Sequence, residues 1–337
     1  MIWILKILKH ARKRKIKSSI AMINREIVMK KIIMCFIAVC LYSTQVTAEK
    51  TILRIGVQTS GTLDWELSVL PESSDFKILA QPVATSEAAK IALQSGAVDM
   101  IVSDFLWVSQ SRNTGADFTF YPYSNTSGAL VVTANSSIHE IKDLIGKHVG
   151  IAGGELDKNW LLLQAVAGKE SIDLSKTIEK SFGAPPLINE QLKNQRVDAV
   201  LTHWHFAAQL ESQGYKQLLD GNALQQKLGI SANVPTLGYV FKQSWANSHK
   251  SELKSFFHAT SNAKNKLCDD LTLWQKTTVK MENSSGILRQ RYCDGRVNSW
   301  NLENQKAAQK LYSVLVNLNP KVGNSLNLAE GTFWALD

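Results

Sequence analysis

Two short segments of this chain carry side chains able to hold a small molecule, and both are built on one plan. Ser103-Asp104-Phe105-Leu106-Trp107 offers a hydroxyl, a carboxylate and an indole. Thr202-His203-Trp204-His205-Phe206 offers a hydroxyl, two imidazoles and an indole. Carboxylate and imidazole supply hydrogen bonds and proton exchange, while indole rings stack on flat or cationic groups. Two further segments are rich in glycine: Gly56-Val57-Gln58-Thr59-Ser60-Gly61-Thr62 and Gly153-Gly154-Glu155-Leu156-Asp157. They add hydroxyls, free backbone N–H groups and two acids. The candidate ligand-binding residues are therefore Gln58, Thr59, Ser60, Thr62, Asp104, Trp107, Glu155, Asp157, His203 and Trp204.

That inventory suits binding better than bond breaking. Downstream of residue 48 the chain has no nucleophile elbow, phosphate loop, HExxH or paired-cysteine metal motif, so no catalytic residue, metal or cofactor is assigned. His203 and His205 admit a metal reading that lacks a third ligand nearby. Structural roles stand beside the binding ones. Ser60, Thr62 and Asp157 read equally as helix caps, Glu155 as a solvent-facing acid, and Trp107 and Trp204 as packing between lobes. If Glu155 and Asp157 do face a ligand, their charge opposes an anion unless Lys158 compensates, which favours a neutral, zwitterionic or cationic molecule or a metal ion.

The positioning elements follow from an internal repeat. Leu93, Val98-Asp99, an apolar run and Gly115 match Leu192, Val197-Asp198, an apolar run and Gly214 at one constant offset. Each copy reads as a helix end, a buried strand, a polar-aromatic loop and a new helix. Gly56 to Asp64 echoes Gly150 to Asp157 with one residue dropped. Two α/β units imply two lobes, and open α/β sheets bind ligands beyond the carboxyl ends of their strands. Strands are expected over 51–59, 76–83, 118–123, 129–133 and near 178–182, and helices over 63–70, 86–93, 158–167 and 187–194. A short helix ending at Gly146 is expected within 138–149. A strand over 234–241 crosses back to helices over 251–266 and 303–318, so the chain passes between lobes twice, which suits hinge closure.

The formal charge of +9 belongs to the leader. Ten of the 38 Lys and Arg, and only Glu26 of the 29 acids, lie in the first 48 residues. The remainder is balanced, which excludes nucleic acid as the partner implied by charge. Met29-Lys30-Lys31, the apolar run to Tyr42 and the small-polar stretch ending at Ala48 have the order of a cleavable secretory signal. An uncleaved anchor and a lipoprotein site at Cys40 are weaker alternatives, because the run is shorter than the ~20 residues a span needs. Residues 1–28 fit no domain and read as an upstream extension, with translation expected to begin at Met29. Cys268 and Cys293, the two cysteines after residue 48, either pair in an oxidising compartment or remain thiols.

Leu53-Arg54-Ile55-Gly56-Val57-Gln58 with Gly61-Thr62-Leu63, the run Asp143-Leu144-Ile145-Gly146-Lys147-His148-Val149-Gly150-Ile151-Ala152, Trp160-Leu161-Leu162-Leu163-Gln164-Ala165, and Val197-Asp198-Ala199-Val200 with Trp204 carry a resemblance. On these residues the chain resembles the periplasmic solute-binding proteins of the nitrate, sulfonate and taurine type, which include thiamine-pyrimidine binders. The resemblance implies an α/β, two-lobed periplasmic-binding-protein type II fold with a double-crossover hinge. Residues 49–132 would form the first part of lobe 1, 133–237 lobe 2, and 238–337 the return to lobe 1 with the C-terminal helices. It further implies a monomer that traps a small-molecule ligand and delivers it to the permease and ATPase subunits of an ABC importer. A ligand sensor that never transports, or a periplasmic enzyme on the same scaffold, is the alternative.

Overall fold

Each Val-Asp pair opens a strand, and each aspartate fastens that strand to its neighbour. Asp99 donates its N–H to the Arg54 carbonyl (2.7 Å) and accepts the Arg54 N–H on its carboxylate (3.0 Å). Asp198 does the same with His148, at 2.8 and 2.9 Å. The repeat in the sequence is thus a repeated hydrogen-bonding device at the entry to two sheets. The computed structural model describes residues 49–335 apart from 60, 231–233 and 280–285, together with Met22 and Met29. The expected extension, signal peptide and start site lie outside those residues but for Met22 and Met29.

The chain builds β1 (Thr51–Gln58), α1 (Leu63–Ser68), β2 (Phe76–Val83), α2 (Ser86–Ser95), β3 (Met100–Asp104), α3 (Phe105–Asn113) and β4 (Phe118–Ser124). It then crosses to β5 (Ala129–Val132), a 3-10 turn at Ile141–Leu144, β6 (His148–Ala152), α4 (Lys158–Lys169), the one-turn α5 (Leu174–Thr177) and β7 (Glu179–Gly183). α6 (Pro185–Lys193), β8 (Ala199–Thr202), α7 (Trp204–Ser212), β9 (Lys216–Asp220) and α8 (Gly221–Lys227) follow. The last stretch is β10 (Leu237–Lys242), α9 (Gln243–Ser248), α10 (Lys250–Asp269), α11 (Leu271–Thr277), α12 (Gly286–Asp294) and α13 (Leu302–Leu318).

Two five-stranded sheets result, ordered β2-β1-β3-β10-β4 and β7-β6-β8-β5-β9. They correspond strand for strand. In each, three parallel strands come from βα units, and the fourth position is taken by an antiparallel strand that has just crossed from the other lobe. Buried apolar positions on both faces of the central strands, such as Ala129–Val132 with every residue buried, explain their near-continuous hydrophobic sequence.

Sheet membership moves the first expected boundary. β5 pairs with β8 and β9, so the crossing falls between Ser124 and Ala129 rather than after residue 132. An all-apolar strand reads the same in either sheet, which is why the sequence did not place it. The return strand lands as expected, with β10 between β3 and β4. The C-terminal segment is not confined to lobe 1. α13 lies against α4, and Lys310 donates to the Gly229 carbonyl at 2.7 Å. The chain then comes back, with Phe120 donating to Thr332 and Trp334 to Phe120, each at 2.9 Å. The two strand crossings are therefore joined by two more. Cys268 and Cys293 form a disulfide with Cα atoms 5.6 Å apart, for which the chain-entropy model gives a gain of roughly 3 kcal/mol.

Candidate functional site

The loops that follow the six parallel strands face one another across a cavity of about 430 Å³. From lobe 1 come Gln58 and Thr62 after β1, Thr85 to Glu87 after β2, and Ser103 with Asp104 after β3. From lobe 2 come Gly153, Gly154 and Leu156 to Asn159 after β6, Gly183 to Pro185 after β7, and His203 to His205 after β8. Tyr123 near the end of β4, Ser127 and Gly128 on the first crossing, and Leu237 at the start of β10 close its back. Four of these loops were legible from glycine, acid and aromatic content. The β2 and β7 loops carry no motif, yet the strand pairing puts them there: Thr59 donates to Val83 at 3.0 Å and Gly153 to Gly183 at 2.9 Å, continuing each parallel ladder into the cleft.

Gln58, Thr62, Asp104, Asp157, His203 and Trp204 line the cavity, whereas Thr59, Trp107 and Glu155 do not. Thr59 is exposed beside it, and Ser60 lies outside the described residues. Trp107 stacks on Phe118 (centroids 5.3 Å, 25°), with the Lys90 ammonium 5.4 Å over its ring. Register explains the misplacement: Trp204 is the first residue of its helix and matches the core residue Phe105, while Trp107 matches Phe206, two positions further on. Glu155 points away, its side chain 59% exposed and 3.9 Å from Lys180. Asp157 caps α4, accepting from the N–H groups of Asn159 (2.8 Å) and Trp160 (3.4 Å). Asp104 caps α3 through Trp107 N–H at 2.8 Å. Of the two acids only Asp157 borders the cavity, and its charge is offset in part by the helix N-terminus it caps, so Glu155 takes no part in setting the charge a ligand meets.

Asn159 is a residue that sequence reasoning passed over. Its buried amide oxygen accepts from Ser127 Oγ (2.6 Å) and Gly128 N–H (2.8 Å), and its Nδ2 donates to Asp157 (3.1 Å). The side chain thus bolts the start of α4 to the crossing strand. A Cβ on Gly128 would sit 2.5 Å from the Thr202 carbonyl and 2.7 Å from Asn159 Nδ2, so only glycine fits where the strand passes this close to the cleft floor.

On the lobe 1 wall, Tyr123 turns its hydroxyl inward to donate to Glu66 at 2.9 Å. Glu66 is fully buried and lies 3.5 Å from Lys264, whose ammonium sits 4.0 Å over the Tyr123 ring and donates to the Tyr123 carbonyl at 3.2 Å. Burial raises the Glu66 carboxyl above the usual range against the pull of Lys264. Burial likewise lowers Lys264 against the pull of Glu66. Tyr123 therefore reaches the cavity with its ring while its hydroxyl is spent on a buried carboxylate.

His203 is the other perturbed group on the wall. Burial, helped by the Lys158 ammonium, lowers its imidazole to about 3, so the ring is neutral and offers one donor and one acceptor. A depressed folded pKa gives stability that is present above the unfolded value and lost as pH falls toward the folded one. From pH 7 to pH 5 the wild type should lose about 2 kcal/mol relative to His203→Gln. Urea unfolding of both proteins at the two pH values measures it; a constant gap would show that the imidazole titrates normally. Among the described residues no group of three His, Cys, Asp or Glu is placed to hold a metal ion.

Two mixed α/β sheets with exchanged fourth strands, and a cleft at their facing carboxyl ends, define the two-lobed periplasmic-binding-protein type II class. The NMT1/THI5-like family profile matches residues 75–270, more than half of the chain, and the chain belongs to that family. No curated protein matches it. Among solved structures, the alkanesulfonate-binding protein SsuA of Xanthomonas axonopodis pv. citri, bound to MOPS, superposes with a TM-score of 0.66 at 17% identity, over 85% of this chain and 99% of that one. The periplasmic aliphatic sulphonate binding protein of Escherichia coli gives 0.64 at 17% identity, over 85% and 93%. A zinc-bound ligand-binding component of an ABC-type import system from Staphylococcus aureus gives 0.65 at 16%, over 84% and 96%. At these identities the likeness is one of fold.

Proposed function

We propose that this protein is the substrate-binding component of an ABC-type importer, capturing a small molecule between its lobes and delivering it to a membrane permease driven by an ATPase. The observation that carries the reading is the convergence of six strand-end loops, three from each lobe, on one cavity of about 430 Å³ at the point where the chain crosses. Such a cavity suits a small ligand held mostly by hydroxyl, amide and backbone groups. Family membership, one neighbour described as an alkanesulfonate-binding protein and another described as the ligand-binding component of an ABC-type import system support the same reading. On this reading the leader is a cleavable signal to the periplasm, the protein acts there as a monomer, and residues 125–128, between the last strand of one sheet and the crossing strand of the other, form part of its hinge. Among the described residues no helix is long and apolar enough to cross a membrane.

Native mass spectrometry of protein purified gently from the periplasm tests this directly. A stoichiometric small molecule should travel with the protein and leave unaltered on denaturation. Added back at a hundredfold excess over its dissociation constant, it should raise stability by about 2.7 kcal/mol. Recovery of a chemically altered molecule would point to catalysis instead. Failure of every co-purified or screened compound to raise stability would sink the reading.

A further inference from the structure

Trp204 has two faces: one lines the cavity, and the other enters an apolar cluster separate from the sheet cores. That cluster unites Trp204 and Ala208 of α7, in lobe 2, with Trp65 of α1, Cys268 of α10, Trp274 of α11 and Tyr292 of α12. Trp65 is its centre, with ring centroids 6.3 Å from Trp204, 5.4 Å from Trp274 and 5.6 Å from Tyr292. A polar rim lies beside it. Arg291 of α12 meets Glu211 of α7 at 3.1 Å and approaches Asp220 at 3.9 Å, both in lobe 2. Past the end of α12, the carbonyls of Gly295 and Arg296 accept from the backbone and side-chain N–H groups of Asn125, on the first crossing, at 3.0 and 2.7 Å.

α12 therefore touches lobe 2 and the hinge, while its covalent tie runs to α10 through Cys268–Cys293. α10 is rooted in lobe 1, where Phe256 and Phe257 pack on Tyr239 of β10. A nine-residue helix has little stability of its own, so its place between the lobes depends on that tie, on Tyr292 packed against Trp65 and Trp274 and Arg289 donating to the Cys268 carbonyl beside it, and on its grip on lobe 2. We propose that α12 is a clasp: fastened to lobe 1 by the Cys268–Cys293 bond, it holds lobe 2 through Arg291 and Tyr292 and sets the resting angle of the two lobes, so that breaking the bond lets them open.

The test needs no ligand. Small-angle scattering is recorded on oxidised protein freed of small molecules by dialysis, for the wild type, Arg291→Met and the Cys268→Ser/Cys293→Ser pair, with melting curves alongside. Both variants are expected to shift the radius of gyration upward, and an Arg291→Glu/Glu211→Arg exchange to restore the wild-type value. Wild-type scattering from Arg291→Met overturns the clasp. So does a serine pair that melts earlier at an unchanged radius, since the bond would then only stabilise lobe 1. If the serine pair does not fold, Arg291→Met and the exchange carry the decision.

Discussion

Lys264→Met should cost about 2–3 kcal/mol at neutral pH, because it leaves the fully buried Glu66 carboxyl without its counter-charge and obliges it to hold a proton. The cost should depend on pH in a defined direction. Glu66 already has a raised folded pKa from burial, and losing Lys264 raises it further. A raised folded pKa gives stability that is fully present below the unfolded carboxylate value and lost as pH rises through the folded one. Near pH 4 the variant should match the wild type or exceed it, since the buried ammonium is itself costly. The deficit should then open steadily toward pH 7. Guanidinium unfolding at both values reads this out, and Glu66→Gln/Lys264→Met should recover most of the loss. A deficit independent of pH would mean that packing of the lysine stem, and not charge, is what the substitution removes.

Trp204→Ala should destabilise by about 3–5 kcal/mol, the range for deleting a buried tryptophan from a packed cluster. The residue is 8% exposed and touches rings from α1 and α12. The change opens a void between the lobes as well as in the cavity wall. Trp204→Phe should keep most of the stability, since a ring still meets Trp65. Circular dichroism during urea unfolding measures it without relying on indole emission. A loss under about 1 kcal/mol would show that the interlobe cluster closes over the void. Any molecule found with the wild type should also be retained less well by the alanine variant.

Trp204 and Trp107 mark what the sequence could and could not tell. As residues in matched loops they look equivalent, and the repeat that paired Asp99 with Asp198 placed both strands, both helices and four of six loops. Which way an indole points depends on its turn within the following helix. Trp204 stands first and faces the cleft; Trp107, two places later in the matched frame, turns to Phe118. Glu155 and Asp157 were separable only by their partners, a lysine on the neighbouring strand and the N–H groups of α4. Tyr123, Ser127 and Asn159 meet through contacts between residues distant in the chain, which no local pattern encodes. β9 was missed because Lys216-Gln217-Leu218-Leu219-Asp220 has neither alternation nor an apolar run. α13 showed its apolar stripe plainly, but a stripe does not say which lobe will cover it.

The four crossings also fix an order of events during synthesis. The sheet of lobe 1 cannot close between β3 and β4 until Lys242 has been made, because β10 fills that gap. Lobe 2 has all its strands by Asp220, yet α4 waits for α13, which ends at Leu318, to cover its outer face. The lobe 1 sheet takes its fourth strand from beyond lobe 2, lobe 2 takes α13 from the far end of the chain, and partners this far apart in sequence make folding slow. Until β10 is made, the lobe 1 sheet keeps open edges at β3 and β4, a form that must be kept from aggregating.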